Sequence, residues 1–168
     1  MKKPEWFERK FEFGFDAGML PFFLERLEGT IARLEKKTAG QEDAALSWQP
    51  GGKWSMKQHI GHLAEVDEVA LKRIDEMVSG VSPLTPAVFE PRQDYNSQSV
   101  TAVLNLFVKN RLRNLNRYHA LSEEDCMKCS LHPRLKLMMN PVDLAFFDAE
   151  HDDHHLVKIN EIREKFRD

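Results

Sequence analysis

The sequence lacks most of the features that mark a secreted, membrane-spanning or nucleic-acid-binding protein. Only two of its 168 residues are cysteines, too few for a disulfide framework, and this favours a reducing cytoplasm. No apolar run approaches the roughly 20 residues of a membrane span. The N-terminal Met1-Lys2-Lys3-Pro4 is not followed by an apolar region, so it is not typical of a signal peptide. We therefore expect a cytoplasmic protein with no membrane partner.

The sequence also has no strong excess of acidic or of basic residues. The net charge is −3 with acidic and basic residues interspersed, and there is no basic block or arm that would indicate nucleic acid as a partner. The apolar fraction of 42% and the charged fraction of 30% are those of a globular protein with a full core. The length suits one domain, which we assign to residues 1–168, with a core of about 19–165.

A half-buried strand shows alternating apolar and polar residues, and no stretch of this sequence has that alternation over the length of a strand. Four long stretches have helical periodicity instead: about 21–37, 55–79, 97–120 and 141–165. Their starts carry helix signals, with Pro21 in a first turn, Ser55 as an N-cap, and Asn140 as the cap before Pro141. The sequence therefore predicts an all-α protein, a four-helix bundle.

Residues 1–18 differ from the predicted helices because they combine five aromatic side chains with many charges. We interpret them as an N-terminal arm whose aromatic residues pack on the body of the same domain. A dimer contact is the alternative.

Two further features have a simple interpretation. Cys126 and Cys129 belong to an ordinary loop, because no second cysteine pair exists. Arg111 snorkels at the edge of an apolar stripe, with its charged end directed toward solvent. The alternative for Arg111 is neutralisation of an anionic substrate.

The most informative stretch is Ala149-Glu150-His151-Asp152-Asp153-His154-His155-Leu156, in the last predicted helix. His151 and His155 are four residues apart and so share one helix face. Apolar side chains with the same spacing precede and follow them, which places both imidazoles on the buried side. Two imidazoles with this spacing can bind one metal ion, with metal–nitrogen bonds of about 2.0–2.1 Å.

A third ligand is needed, and His62 in the second predicted helix is the best candidate. It shares a helix face with Val66 and Val69, so it also points toward the core. Three neutral imidazoles leave coordination positions open, as in catalytic rather than structural zinc sites, where a bound water becomes a nucleophile near neutral pH. The simpler alternative is a set of core histidines with satisfied hydrogen bonds and no metal.

Several neighbouring residues have two interpretations each. Glu65, one turn after His62, is either a proton acceptor for catalysis or a solvated helix charge. Asp148 and Asp152 either orient the histidines of the last helix or belong to its surface. His59 and His154 are predicted to lie outside the ligand set.

Three stretches together resemble the DinB-like (DinB/YfiT-type) family of bacterial four-helix-bundle proteins. They are Lys53-Trp54-Ser55 followed by His62-Leu63, the Leu131-His132-Pro133-Arg134 stretch, and the His151-x-x-x-His155 helix. The resemblance covers residues 15–165 approximately. It implies an up-up-down-down bundle and a divalent ion, reported in the family as zinc, nickel or iron, on His62, His151 and His155. Lys158 departs from the glutamine that is frequent in the family, with an expected effect on the rim of the site.

The resemblance also implies a function. The family includes thiol S-transferases and many members described as metal-dependent hydrolases, so we expect a small-molecule substrate, with a low-molecular-weight thiol among the candidates. Hydrolysis and thiol transfer need the same three ligands, and the sequence does not separate them. The alternative is a non-catalytic metal- or ligand-binding bundle with a role in stress responses. The family and the aromatic arm also leave a homodimer open.

Overall fold

The computed structural model describes residues 3–167; Met1 and Lys2 of the predicted arm, and Asp168, lie outside the described residues. Within this range the α-helices are α1 Leu20–Thr38, α2 Asp43–Ser47, α3 Met56–Val78, α4 Val100–His119, α5 Glu123–Cys126 and α6 Pro141–Arg167. Short 3-10 helices span Trp6–Glu8, Ala17–Met19 and Pro50–Gly52, and the strands are β1 Ser130–Leu131 and β2 Met138–Met139.

The four long helices confirm the predicted bundle, and the N-termini of α3 and α6 are capped as the sequence indicates. The Ser55 hydroxyl accepts a hydrogen bond from the backbone N–H of Gln58, whose side chain returns to the Ser55 N–H. Asn140 and Asp143 exchange the same kind of bonds at the start of α6. These capping boxes satisfy N–H groups that the helix itself leaves unpaired.

Helices α1 and α6 run in the same direction, since Arg26 contacts Glu150 and Lys37 contacts Asn160. Helices α3 and α4 also run parallel to each other, as the Asn110–Ala64 and Arg117–Asp75 hydrogen bonds show. Helix α3 is antiparallel to α6, because His59 lies beside His155 and His62 beside His151. The four helices form a bundle as predicted, but their order is up-down-down-up and not the up-up-down-down order that the resemblance implies.

Helix α1 packs against α6 and α4, and α3 packs against the same two helices. The consecutive helices α1 and α3 are therefore diagonal to each other, as are α4 and α6. The buried apolar side chains form two clusters, one including Leu27 and Ile74 and the other including Ile60 and Phe107.

The connections contain more regular structure than the sequence predicts. The connection between the first two predicted helices includes the short helix α2. The connection before α6 contains an antiparallel hairpin in which Ser130 pairs with Met139 and Leu131 with Met138. Two residues per strand are too few to produce a detectable alternation. Cys126 and Cys129 are free.

The N-terminal arm packs on the body of the bundle, as predicted. Trp6 is only 8% exposed, and its ring lies 5.2 Å from that of Phe147 and 4.9 Å from that of His151. The arm therefore covers part of α6 beside the predicted metal ligands. Between residues 3 and 167, none of the helices combines the length and the apolar character that a bilayer crossing requires.

The snorkelling interpretation of Arg111 is wrong, because its side chain is 1% exposed. Its Nε donates to Asp67 at 3.0 Å, and its Nη1 donates to Asp152 at 2.6 Å and to the Leu27 carbonyl at 2.8 Å. Thr30 donates to the same Asp152 carboxylate at 2.7 Å. Asp152 is 1% exposed and is thus engaged in a buried ionic network that joins all four long helices. Both interpretations of Asp152, as a partner of a histidine and as a surface charge, are therefore wrong.

Candidate metal centre

Helices α3 and α6 bring His62, His151 and His155 together. One nitrogen from each ring lies within 4.8 Å of the others, close to the ~4.2 Å that two zinc–nitrogen bonds on one ion can span. The Nε2 atoms of His151 and His155 are 3.0 Å apart. His62 and His155 are each 4% exposed. The predicted ligands therefore converge on one buried point.

The lowered pKa values of the three imidazoles favour binding of a cation. Burial lowers the pKa of His62 to about 4, and burial together with the neighbouring imidazoles lowers the pKa values of His151 and His155 well below the ordinary range. All three rings are therefore neutral near pH 7 and keep a lone pair for a metal. The Nδ1 atoms of His62 and His151 are buried without a hydrogen-bond partner among the described residues. This donor set fits a divalent ion of the zinc, nickel or ferrous type.

His59 adds a fourth histidine beside this group. Its Nδ1 lies 2.7 Å from the Nδ1 of His155, while the Nε2 of His155 faces His151. If the His155 Nε2 is the ligand atom, its Nδ1 carries the proton and donates it to His59. Metal-bound histidines are usually held in this way, through a hydrogen bond from the second ring nitrogen. The expectation that His59 lies outside the ligand set agrees with this geometry.

A cavity of about 500 Å³ opens beside the three histidines. Its walls are mainly apolar and aromatic, with Val66 and Val69 of α3 facing Phe147 of α6. The N-terminal arm and the connection before α4 form its roof, where the rings of Phe7 and Phe89 meet at 5.5 Å. The size is that of a pocket for a small molecule.

The DinB superfamily model matches residues 26–159, most of the chain. The chain belongs to the DinB superfamily. No curated protein matches it at the sequence level. Among solved structures it is similar to YfiT from Bacillus subtilis, a probable metal-dependent hydrolase with an unusual four-helix bundle topology. The TM-score is 0.81 at 17% sequence identity, over 94% of this chain and 93% of YfiT. This likeness confirms the bundle fold.

In this DinB-superfamily protein, Glu65 lies away from the cavity. It is 6% exposed, and its Oε1 accepts hydrogen bonds from the Tyr95 hydroxyl at 2.6 Å and from the backbone N–H of Arg92 at 2.9 Å. It is not among the described residues that line the cavity. These bonds give Glu65 a role in holding the connection before α4 against α3, and its catalytic role stays a prediction.

Asp148 is the buried carboxyl group that does line the cavity. It is 5% exposed, and its Oδ2 has no hydrogen-bond partner among residues 3–167. Burial raises its pKa well above the ordinary range, which favours the protonated form of the carboxyl group. Asp148 does not orient His151, contrary to the sequence-based expectation, because the His151 Nδ1 is also without a described partner.

Sequence reasoning assigned no role in the site to two further parts of it, although Trp54, His132 and Arg134 belong to the stretches that resemble the family. Trp54, at the entry to α3, lies with its ring 4.9 Å from that of His62. Arg73, His132 and Arg134 line the cavity as well. Arg73 follows His62 by eleven residues, close to three helical turns, so helical spacing could have placed both on one face. No local pattern links His132 to either of them.

Proposed function

We propose that this protein is a divalent-metal-dependent enzyme acting on a small molecule, with the ion held by His62, His151 and His155. The observation that carries the proposal is the convergence of three neutral, buried imidazoles beside a cavity large enough for a substrate. The solved structure of YfiT, described as a probable metal-dependent hydrolase on the same fold, supports the same direction.

The chemistry follows from the residues that surround the ion site. A divalent ion held there supplies Lewis acidity and lowers the pKa of a water or a thiol that approaches it. The Trp54 and Trp6 rings cover the histidines and reduce their access to bulk water. Burial raises the pKa of Asp148 on the cavity wall and favours its protonated form, which suits protonation of a leaving group. We propose Asp148 as the acid and keep Glu65 as the less favoured candidate.

Two reaction types remain consistent with this site: hydrolysis, and transfer of a low-molecular-weight thiol to an electrophile. Both use the same three ligands and the same cavity. The second class of function is a non-catalytic metal- or ligand-binding bundle. The open cavity and the unpartnered Asp148 carboxyl favour an enzyme, because a binding module needs no proton donor beside the ion.

Metal content tests the ligand assignment. The protein is purified without metal, reconstituted with zinc, nickel or ferrous ion, and analysed for bound metal beside His62→Ala and His151→Ala. We expect close to one ion per chain in the wild type and loss of that ion in both variants. His154→Ala is the matched control, since His154 lines the cavity but is not one of the three convergent histidines. Unchanged metal content in both ligand variants would contradict the proposal.

An activity assay distinguishes the proposed enzyme from the non-catalytic binding bundle. The loaded protein is incubated with a panel of activated esters and amides, and separately with low-molecular-weight thiols and a generic electrophile. An enzyme gives rates that His62→Ala and Asp148→Asn both reduce. Full metal loading without a rate above the variants on either panel would favour the non-catalytic alternative.

A further inference from the structure

Arg73 and Arg111 are the buried arginines among the described residues, and their surroundings are opposite. Arg111 is neutralised by two carboxylates at hydrogen-bond distance. Arg73 is 5% exposed, yet no carboxylate of the described residues lies within ion-pair distance of it. Its Nε donates to the Thr85 carbonyl at 3.0 Å. A buried guanidinium without a counter-ion is costly unless it serves a ligand.

His132 adds a second donor at the same place. Its Nδ1 accepts backbone hydrogen bonds from Arg134 at 3.3 Å and Leu135 at 3.1 Å. Burial and the two neighbouring arginines lower the pKa of His132 to about 3, so the ring is neutral and its single proton lies on Nε2. That Nε2 is 3.3 Å from the Nη1 of Arg73. Two N–H groups therefore face each other and share no acceptor.

Arg134 completes the group. Its guanidinium lies over the Phe7 ring at 5.0 Å, and it has no ion pair with any described carboxylate. Among the described residues, the acidic ones that line the cavity are Asp148, whose pKa burial raises well above the ordinary range, and Glu90, which is exposed to solvent. The nearby Glu76 accepts hydrogen bonds from Thr85 instead. This end of the cavity thus presents two guanidinium groups that have no direct ion-pair partner among the described residues.

The distance between this cationic group and the three histidines follows from helix geometry. Eleven residues separate His62 from Arg73, which corresponds to about 16 Å along α3 and an angular offset of about 20°. Val66, Val69 and Ala70 line the cavity between them. The ion site and the cationic group are therefore at opposite ends of one apolar channel.

We propose that Arg73, His132 and Arg134 bind the carboxylate of an elongated substrate, whose apolar body fills the channel and whose reactive group reaches the ion site. This inference rests on the proposed function and specifies its substrate class. A carboxylate offers acceptors to the Arg73 and His132 N–H groups at once and pairs with both guanidinium groups. A substrate of this class is an amphiphilic acid rather than a compact polar molecule.

The test uses the cobalt-loaded protein and ω-mercapto fatty acids of increasing chain length, beside the terminal amides of the same thiols. Binding of each thiol is measured from the absorption band that appears when its thiolate coordinates the cobalt ion. At the best chain length we expect the wild type to bind the acid about tenfold or more tightly than the amide, as for hydrogen bonds to charged groups. Arg73→Met removes this preference and Arg134→Met reduces it. Arg113→Met, which removes an exposed arginine outside the cavity, retains it.

The outcomes separate this inference from the proposed function. Equal binding of acid and amide, or a preference unchanged in both Arg73→Met and Arg134→Met, overturns the carboxylate site, while binding of the neutral amide still supports the metal site. If Arg73→Met fails to fold by circular dichroism, Arg134→Met decides, because its side chain makes no hydrogen bond within the described chain. If cobalt is not taken up, the proposed function fails. The carboxylate site is then tested by quenching of Trp6 and Trp54 fluorescence with nitrophenyl-tipped acids and amides.

Discussion

His59 is the residue whose contribution to the site is most specific. Nothing in its sequence position requires a histidine, since it precedes His62 by less than one helical turn and any buried side chain could occupy it. Its Nδ1 lies 2.7 Å from His155, and it is 8% exposed. When the His155 Nδ1 donates this hydrogen bond, it fixes the tautomer in which the Nε2 of His155 is free for an ion.

We predict that His59→Phe weakens metal binding about 10- to 100-fold, the usual effect of losing such a partner. His59→Gln should recover part of the affinity, because its amide oxygen can accept the same hydrogen bond. Competition with a chromophoric chelator measures the dissociation constants. His154→Phe makes the same chemical change at another cavity-lining histidine and should leave the affinity near that of the wild type. Equal affinities for His59→Phe and the wild type would refute the assignment.

At the scale of an element, α3 carries a glycine that the connection before α4 requires. A Cβ on Gly61 would lie 2.3 Å from the Tyr95 ring. Tyr95 is fully buried, and its hydroxyl donates to Glu65 one turn further along α3. The glycine thus permits the close approach that anchors the connection, part of which forms the roof of the cavity.

Gly61→Ala and Gly29→Ala form a matched pair, because both glycines are inside long helices. Gly29 has open space around its Cβ position, so alanine should stabilise the protein by up to about 1 kcal/mol through helix propensity. At Gly61 the clash should outweigh that gain and destabilise the protein by about 1–3 kcal/mol. Urea unfolding of both variants measures the two changes. A Gly61→Ala variant as stable as Gly29→Ala would mean that Tyr95 does not pack as described.

At the scale of the whole molecule, the Arg111 network joins the bundle. Arg111 of α4 binds Asp67 of α3, Asp152 of α6 and a carbonyl of α1. A buried ionic group of this kind stabilises a fold less through its net energy than through the cost of breaking it. It therefore constrains how α3 and α6, which carry the histidines, are positioned relative to the other two helices.

Arg111→Met should lower the free energy of unfolding by about 3–5 kcal/mol, because two buried carboxylates lose their counter-ion. The triple variant Arg111→Met, Asp67→Asn, Asp152→Asn removes the charges together and should be closer to the wild type than the single variant. Denaturant titration at neutral pH compares them. A triple variant less stable than Arg111→Met would show that the network contributes net stability rather than a penalty on its disruption.

Local pattern was sufficient for much of the fold and for the histidine set. The helices follow from apolar periodicity and from caps at residues such as Ser55 and Asn140, which act within one turn of the chain. His151 and His155 share a face because of their spacing alone. For His62, apolar neighbours with helical spacing correctly indicated that the side chain is buried.

Tertiary structure decided the features that depend on partners distant in sequence. The sequence spacing of Arg111 and Asp152 gives no sign of their ion pair, and only the packing of α4 on α3 and α6 brings them into contact. The same holds for Arg73 of α3 and His132, which directly follows β1 in a hairpin too short to be detected by alternation. The four long helices and the inward orientation of His62, His151 and His155 follow from local sequence. The packing of those helices decided which charges are paired and which face the cavity, because charge pairing depends on distances in space that no local spacing encodes.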